Sequence, residues 1–328
     1  MKRCFSIWSA AVSVIVLGAA WPVHADWYRD AQDIMGTRVQ AELWHHDAAA
    51  AQDLLDAVMA EMRRIDHAYS THRDSSELSA LNRQAAQGWA PVSAELYDLL
   101  ERSRRVSELT EGAFDVTYAS VGRYYDYRAG KRPDPARFDE AVEAIDYRYV
   151  ELDPDGPRVR YAHPQVHVDL GGIAKGYAYC SSSRRCPALD RPACSPAESR
   201  HLGDRGVEPR RGIRDPRDAD AMAAVLPLTD TAVSTSGDYE RFFEEDGVRY
   251  HHILDPATGR SARDAWSVTI LGPDATFTDA LSTSVFVLGP ERGLALIDDM
   301  PGIDAIIIDA SGRLRYSADL LQAADGGL

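Results

Sequence analysis

The chain contains 328 residues, of which 45% are hydrophobic, and it carries a formal net charge of −15 at pH 7. This size and composition are typical of a globular protein with one large domain or two closely packed ones. The negative charge argues against nonspecific nucleic-acid binding, because neutralising phosphates requires a basic surface. We therefore expect no nucleic-acid partner, and any polyanionic ligand must be neutralised locally by a metal ion or a single lysine.

The N-terminus has the pattern of a cleavable secretory signal. Lys2-Arg3 precedes an apolar run over residues 10–20, and Val23-His24-Ala25 places small residues before a cleavage point. A membrane anchor is the weaker alternative, because the apolar run is shorter than the ~20 residues that span a bilayer. We expect residues 1–25 to be a signal peptide and residues 26–328 to form a periplasmic domain with no later membrane-spanning segment.

Strands and helices are predicted in mixed order. Alternating polarity over residues 37–44 predicts a strand, and apolar residues at helical spacing predict helices over 48–66 and after Ser93. Residues 124–154 are polar and interrupted by proline, which predicts loop and short helix. Further along, the sequence predicts strands over 166–170, around 250–254, and over 267–271 and 305–309, and helices over 278–288 and 291–299. Because this order has no regular βαβ repeat, it favours an α+β fold.

The run Val168–Ala178, with the sequence VDLGGIAKGYA, carries the strongest chemical signal. Asp169 ends a predicted strand, and Gly171-Gly172 lets the backbone approach a ligand closely. Lys175 begins the next helix, where its charge can meet a phosphate. The glycine spacing matches neither a Walker loop nor a dinucleotide fingerprint, and a Gly-Gly pair by itself is often only a tight turn.

A second signal lies in the run Thr278-Asp279-Ala280-Leu281-Ser282-Thr283. Residues four apart share a helix face, so the Asp279 carboxylate and the Thr283 hydroxyl project together. Hard oxygen ligands of this kind suit Mg²⁺. If Asp279 lies in a solvated cleft, its replacement should cost little stability. If it only caps its helix, its replacement should cost about 1 kcal/mol.

The adjacent pair His251-His252 suggests a metal site only at first sight. Neighbouring residues on a strand point to opposite faces, so the two rings cannot chelate one ion together. We expect one of them to be structural or solvent-facing.

Further runs follow in a fixed order along the chain. They are Met35-Gly36-Thr37, Ser70-Thr71-His72, Gly112-Ala113-Phe114-Asp115-Val116-Thr117, Ser234-Thr235-Ser236-Gly237 and His252-Ile253-Leu254-Asp255-Pro256. Together with the two runs above, they resemble the motifs of the ApbE flavin-transferase family across residues 34–320. One departure is His72, where Tyr or Trp is more usual in that family. The resemblance implies an α+β, T-fold-related architecture of mixed sheets and packed helices, with an FAD site in a central cleft.

Members of this family bind FAD as a substrate and, with Mg²⁺, transfer its FMN half to a Thr or Ser hydroxyl of an exported acceptor protein, releasing AMP. The resemblance implies that peripheral contact with membrane-bound acceptors is compatible with this activity. Two alternatives stay open from the residues alone: a degenerate FAD-binding protein that transfers nothing, and an FAD pyrophosphatase that uses water as the acceptor.

The resemblance also implies roles for single residues. The metal candidates are Asp279, Ser282, Thr283 and, through its backbone oxygen, Gly172. The candidates for binding FAD are Met35, His72, Ala113, Phe114, Asp115, Asp169, Lys175 and Leu254. His252 and Asp255 are the catalytic candidates, because either could take the proton of the acceptor hydroxyl if geometry permits.

Residues 179–197 depart from the family pattern. Their sequence, YCSSSRRCPALDRPACSPA, is rich in Cys, Ser, Arg and Pro where the family continues with an amphipathic helix and a strand. Such a composition buries little apolar surface, so we expect no packed element here. The three cysteines could supply one disulfide in an oxidising compartment. The segment is either a true divergence or a stretch read out of frame, and the family pattern resumes by Glu198.

Overall fold

A computed structural model describes residues 25–185, 210–218, 221–228 and 230–326. The predicted signal peptide, apart from Ala25, lies outside the described residues. In chain order the elements are β1 (Asp26–Ile34), β2 (Thr37–His45), α1 (Ala48–Tyr69), α2 (Glu77–Gln84), β3 (Ala90–Pro91), α3 (Ala94–Leu109), α4 (Ala119–Gly122), α5 (Pro135–Val142), β4 (Val150–Leu152), β5 (Arg158–Tyr161), α6 (Ala174–Arg185), β6 (Arg210–Arg214), β7 (Met222–Pro227), β8 (Ala232–Gly237), β9 (Phe242–Glu245), β10 (Val248–His251), β11 (Leu254–Asp255), β12 (Arg260–Ser261), β13 (Ala265–Gly272), α7 (Ala275–Asp298), β14 (Asp304–Asp309), β15 (Leu314–Tyr316) and α8 (Ala318–Gly326). Small antiparallel sheets and helices in this mixed order confirm the predicted α+β class.

The N-terminal half packs helices against a two-stranded hairpin. Strands β1 and β2 pair from Asp26↔His45 to Ile34↔Thr37, and Met35-Gly36 forms the turn with φ values of 54° and 70°. Positive φ at both turn residues matches the right-handed twist of the strands. Helix α1 begins after Asp47, whose side chain accepts from the backbone N–H groups of Ala49 and Ala50. The predicted strand over 37–44 and the helices over 48–66 and after Ser93 are confirmed.

The C-terminal half is a four-stranded antiparallel sheet in the order β15-β14-β13-β8, with α7 packed against it. Val268 and Ile270 of β13 and Ile307 of β14 are fully buried against Phe286 of α7. This arrangement places the residues of β8 that face α7 beside the N-terminal half of that helix, where the predicted metal candidates lie.

Helix α7 is broken at Gly289, which has φ 75° and ψ 175° and precedes Pro290. The break confirms the two predicted helices over 278–288 and 291–299. Among the described helices, Ala275–Asp298 is long and apolar enough to cross a membrane by length and composition. No such segment after the signal peptide was predicted from the sequence. Helix α7 packs as a core helix, because 56% of its apolar window is buried within the protein.

The predicted strand over 166–170 is wrong. These residues belong to no strand in the described part of the chain, and the alternate residues Val166, Val168 and Leu170 are buried. At Val168 a side chain replaces the missing ladder: the backbone N–H of Val168 donates to Asn82 Oδ1 at 2.9 Å, and Asn82 Nδ2 donates to the Val168 carbonyl at 2.9 Å. The alternation in the sequence therefore reflects burial of one face, not pairing within a sheet.

The expectation of no packed element over 179–197 is wrong for its first part. Helix α6 continues to Arg185 and buries Cys180, Ser181 and Ser182. Ser181 Oγ donates to the buried carboxylate of Glu61 on α1 at 2.5 Å, and Cys180 takes part in a disulfide bond. Small polar side chains can pack here because each hydroxyl has a partner. Residues 186–197 lie outside the described residues.

Candidate active site

Helices α6 and α7 meet at Gly176, which gives the site its closest backbone contact. A Cβ at this position would lie 1.9 Å from the carbonyl oxygen of Ala275 and 2.8 Å from Cβ of Asp279. Only glycine allows this approach. It lets Asp279 Oδ2 accept a hydrogen bond from the Gly176 backbone N–H at 3.0 Å, although Asp279 is only 6% exposed.

Asp279 does not cap its helix. The N-cap of α7 is Asp274, whose side chain accepts from the backbone N–H of Phe277 at 3.1 Å. Asp279 lies one turn further along and points across the helix interface. Both expectations for this residue therefore need correction, because its carboxylate is neither a cap nor solvated.

Lys175 lies between the glycine-rich turn and Asp279. Its Nζ donates to the carbonyl oxygen of Gly171 at 2.6 Å and lies 3.5 Å from Asp279 Oδ1. The lysine side chain is 47% exposed, whereas the aspartate side chain is 8% exposed. A positive charge is thus held at the mouth of the site by two oxygens that come from separate elements.

A chain of hydroxyl groups joins β8 to α7. Ser236 Oγ lies 2.8 Å from Ser282 Oγ and 3.3 Å from Thr283 Oγ1, and Ser282 Oγ donates to the Asp279 carbonyl at 2.8 Å. Gly172 faces the same place, since a Cβ there would lie 3.4 Å from Thr283 Oγ1. The structure therefore gathers the four predicted metal candidates. The role of Ser236 was not apparent from the sequence, because its contacts with α7 span more than forty residues.

The donor chemistry of this cluster fits Mg²⁺. It combines one carboxylate with hydroxyl and backbone carbonyl oxygens, and Mg²⁺ binds through few protein ligands and completes its shell with water and substrate phosphate. Within the described residues no group of three or more His, Cys, Asp or Glu side chains could hold a metal ion. A site for a softer metal, which needs His or Cys ligands, is accordingly not found in the described part of the chain.

Asp169 organises the entrance to the glycine-rich turn. Its Oδ2 accepts from Thr71 Oγ1 at 2.8 Å, and its Oδ1 accepts from Tyr118 OH at 3.1 Å and from the Gly171 backbone N–H at 2.7 Å. Burial is the main cause, and the charge of Asp169 the second, that raises the pKa of Tyr118 well above its usual value. Tyr118 therefore stays a neutral donor, and its role was not apparent from the sequence.

The run Ala113-Phe114-Asp115 is buried and follows α3. The ring of Phe114 packs on the glycine-rich turn, where a Cβ at Gly172 would lie 3.2 Å from it. Asp115 accepts from the backbone N–H and hydroxyl of Thr117 and from the backbone N–H of Tyr147. Burial raises the pKa of Asp115 to about 6, although these hydrogen bonds oppose the shift. Asp115 thus holds two loops together beside the turn.

The N-terminal hairpin reaches the same side of the molecule through Arg241. A Cβ on Gly36 would lie 2.5 Å from Arg241 Nη2, so the guanidinium packs against the hairpin turn beside Met35. Met35 is partly buried against the N-terminal core. By contrast, His72 is exposed, and in the run Ser70-Thr71-His72 it is Thr71 that bonds to Asp169.

The two adjacent histidines have different environments. His251 is 3% exposed; its Nε2 lies 2.6 Å from the Ala262 carbonyl and its Nδ1 accepts from the Ile253 backbone N–H, so it is structural, as expected of one of the pair. The Nδ1 of His252 is buried and has no hydrogen-bond partner among the described residues. Burial, with the charges of Arg241, His251 and Lys175, lowers the pKa of His252 to about 3.

Asp255 is occupied by its own turn. Its Oδ1 accepts from the Ala257 backbone N–H at 2.9 Å, and its Oδ2 accepts from Thr258 Oγ1 at 3.0 Å. Leu254, the residue before it, is 4% exposed and packs in a cluster with Val121 and Ala141. Both carboxylate oxygens of Asp255 thus accept hydrogen bonds within its turn, whereas the Nδ1 of His252 has no partner in the described structure.

Oxygen donors, a glycine-rich turn and one lysine on an α+β scaffold define a site whose chemistry suits a phosphate group and a divalent cation. The chain belongs to the ApbE family, whose model matches residues 35–307. It is 34% identical to an FAD:protein FMN transferase of Treponema pallidum, over 98% of this chain and 96% of that protein. It is 30% identical to the FAD:protein FMN transferase of Vibrio cholerae, over 89% of this chain and 90% of that protein.

Solved structures show the same relationship. The crystal structure of the ApbE protein from Thermotoga maritima matches with a TM-score of 0.78 and 32% identity, covering 90% of this chain and 98% of that chain. The apo form of the Pseudomonas stutzeri flavinyl transferase ApbE matches with a TM-score of 0.77 and 27% identity, covering 93% and 98%. The family and the fold implied by the sequence motifs are confirmed.

Proposed function

We propose that this protein is an FAD:protein FMN transferase, which moves the FMN half of FAD onto an acceptor protein and releases AMP. The observation that carries the proposal is the convergence of Lys175, Asp279, Thr283 and the Gly171-Gly172 turn at one site. Relatives that match this chain over nearly its whole length bear the same activity in their names. These matches favour a transferase over a degenerate FAD-binding protein or an FAD pyrophosphatase.

The proposed metal is Mg²⁺, held by Asp279, Thr283 and the backbone oxygen of Gly172, with Ser282 in support. When bound, Mg²⁺ would offset the negative charge of the pyrophosphate. Lys175 adds a positive charge at the same mouth, and Arg241 adds another beside the hairpin turn. An acidic protein can bind FAD by this route because the neutralising charge is concentrated at the cleft.

The proposed acceptor is a Thr or Ser hydroxyl. Its oxygen bonds to the phosphorus of the FMN half, the bond from that phosphorus to the bridging oxygen breaks, and AMP leaves with the bridging oxygen. His252 is the group proposed to take the hydroxyl proton, because its Nδ1 has no hydrogen-bond partner among the described residues. Asp255 instead shapes the turn that follows His252.

For FAD itself we propose contacts along one continuous surface. It runs from the hairpin turn at Met35, past the run at Ala113, to Lys175. Asp169 and Asp115 act there mainly by ordering the loops that line it, since their oxygens accept hydrogen bonds from the protein. Leu254 can contribute through its backbone, and His72 through its exposed ring.

We also propose that the protein works in the periplasm after removal of residues 1–25, on exported acceptors that include membrane-bound ones. The N-terminal charge and apolar run support this location. N-terminal sequencing of the protein from a periplasmic fraction tests it. A start near Asp26 is expected, and a start at Met1 contradicts the proposal.

The activity is tested by incubating the purified protein with FAD, Mg²⁺ and the acceptor protein of the Vibrio cholerae relative. Flavin fluorescence that stays on the acceptor after denaturing electrophoresis is the expected result. Release of AMP without an acceptor, at the same rate as with one, would indicate a pyrophosphatase. FAD binding with neither product would indicate a degenerate protein. A reaction with EDTA in place of Mg²⁺ is the control for the metal.

A further inference from the structure

The ammonium group of Lys175 lies beside a carboxylate oxygen that is proposed to hold the metal. It is 2.6 Å from the Gly171 carbonyl oxygen and 3.5 Å from Asp279 Oδ1, and the second of these oxygens belongs to the cluster proposed to hold the metal. The second oxygen of Asp279 is already used by the Gly176 backbone N–H. One carboxylate oxygen therefore remains to balance a positive charge, and Lys175 faces it.

Burial of the Asp279 carboxylate makes its pairing with a positive charge energetically important. The Asp279 side chain is 8% exposed, and a buried carboxylate without a counter-charge is strongly unfavourable. Some cation must therefore stay near Oδ1 whether or not a metal is bound. Two positive charges cannot both lie close to this one carboxylate oxygen without strong mutual repulsion.

We infer that Lys175 is an internal counter-ion that occupies the cation position when no metal is bound, and that a divalent cation displaces it. The inference rests on the metal site of the proposed function. It adds that Lys175 and the metal compete for Asp279, so that the lysine sets the apparent metal affinity. The flexible lysine stem, 47% exposed, leaves room for the ammonium to swing outward.

Displacement would give the lysine its second role. Once released from Gly171 and Asp279, the ammonium stays within reach of the cleft mouth, where the pyrophosphate of FAD is proposed to lie. Metal binding and phosphate binding by Lys175 then become coupled steps, since the metal frees the charge that the phosphate needs. Such coupling requires only that the ammonium favour a different position in each state.

The sequence makes this testable, because its only lysines are Lys2, Lys131 and Lys175. Full-length protein labelled at lysine Cε with ¹³C, free of FAD, is titrated with MgCl₂ and followed by NMR. The Lys175 signal is identified by its loss in Lys175→Met. We expect that signal to shift on titration while the signal of Lys131, an exposed residue, does not. In Asp279→Asn the Lys175 signal should already lie away from its metal-free position, and MgCl₂ should not move it further.

Mn²⁺ affinity, measured by electron paramagnetic resonance without FAD, supplies the second readout. Competition predicts that Lys175→Met tightens Mn²⁺ binding by about tenfold and that Lys131→Met leaves it unchanged. Mn²⁺ binding that weakens in Lys175→Met, or a Lys175 signal that stays fixed while the metal binds, overturns the inference but not the proposed metal site. If neither Mg²⁺ nor Mn²⁺ binds the parent protein, both the inference and the proposed metal site are overturned.

Discussion

The buried carboxylate of Asp279 accepts a hydrogen bond from the backbone N–H of Gly176 at 3.0 Å, and this contact ties α7 to the first turn of α6. The same carboxylate faces Lys175 with its other oxygen. One side chain thus joins the two helices and supplies the charge of the site. Variants at this contact must therefore be read for stability and for activity separately.

Gly176→Ala should destabilise the protein by about 2 kcal/mol or more, because the new Cβ would overlap the Ala275 carbonyl and force the two helices apart. Urea denaturation followed by circular dichroism measures the effect. Gly156→Ala is the matched control, since no heavy atom lies within 4 Å of its added Cβ, and it should stay within about 0.5 kcal/mol of the parent. Equal stability of the two variants would show that the helix contact is looser than described.

Asp279→Asn should lower FMN transfer by roughly 100-fold or more, because it removes the charged oxygen proposed to hold the metal. The amide can still accept from the Gly176 N–H, so the loss of stability should be smaller than in Asp279→Ala. Transfer rates at saturating FAD and unfolding free energies of both variants check this. Parent-like transfer and Mg²⁺ dependence in Asp279→Asn would show that the metal assignment is wrong.

Thr283→Val should raise the Mg²⁺ concentration needed for half-maximal transfer while leaving stability nearly unchanged. The substitution keeps the shape and deletes one hydroxyl, whose described contact is with Ser236 Oγ at 3.3 Å. A Mg²⁺ titration of the initial transfer rate measures the effect. If the half-maximal concentration does not change, Thr283 is not a ligand.

His252 should make the protein less stable as the pH falls below about 6.5. Its pKa is lowered from 6.5 to about 3 in the folded state, chiefly by burial, so between these values the unfolded chain binds the extra proton. The contribution of His252 to stability is therefore fully present above the unfolded pKa of 6.5 and is lost as the pH falls towards the folded pKa. Between pH 7 and pH 5 the parent should lose about 1–2 kcal/mol more than His252→Gln. Parallel pH profiles for the two proteins would contradict the buried, neutral state of this ring.

Thr276→Val should stabilise the protein by up to about 1 kcal/mol. Thr276 is 3% exposed, and its hydroxyl has no hydrogen-bond partner in the described part of the chain, so valine removes an unsatisfied polar group at little change in shape. Thr278→Val, two residues along the same helix, is the opposite case. Its hydroxyl lies 2.9 Å from Ser234 Oγ, and its loss should destabilise by about 1 kcal/mol. Thermal unfolding of both variants should shift in opposite directions, and a shared direction would refute the assignment.

Local patterns in the sequence were sufficient for several elements. The apolar spacing that predicts α1 and the helix after Ser93 reflects contacts that each helix must make on one face, whatever its partner. Gly289-Pro290 breaks α7 because the glycine adopts a positive φ and the proline carries no N–H. The order of the motifs was enough to identify the family, since their residue types and spacing persist along the chain.

Only the tertiary structure decided what most of the polar residues do, because several of them depend on a partner far away in sequence. Residues 166–170 look like a strand, but Asn82 satisfies the backbone of Val168 in place of a neighbouring strand. Helix α6 extends into a segment of low apolar content, where the Glu61 carboxylate accepts a hydrogen bond from the Ser181 hydroxyl. Asp255 closes its own turn, and His252 keeps a buried nitrogen free. Lys175 meets Asp279 only because Gly176 lets two helices touch, a contact that joins positions about a hundred residues apart.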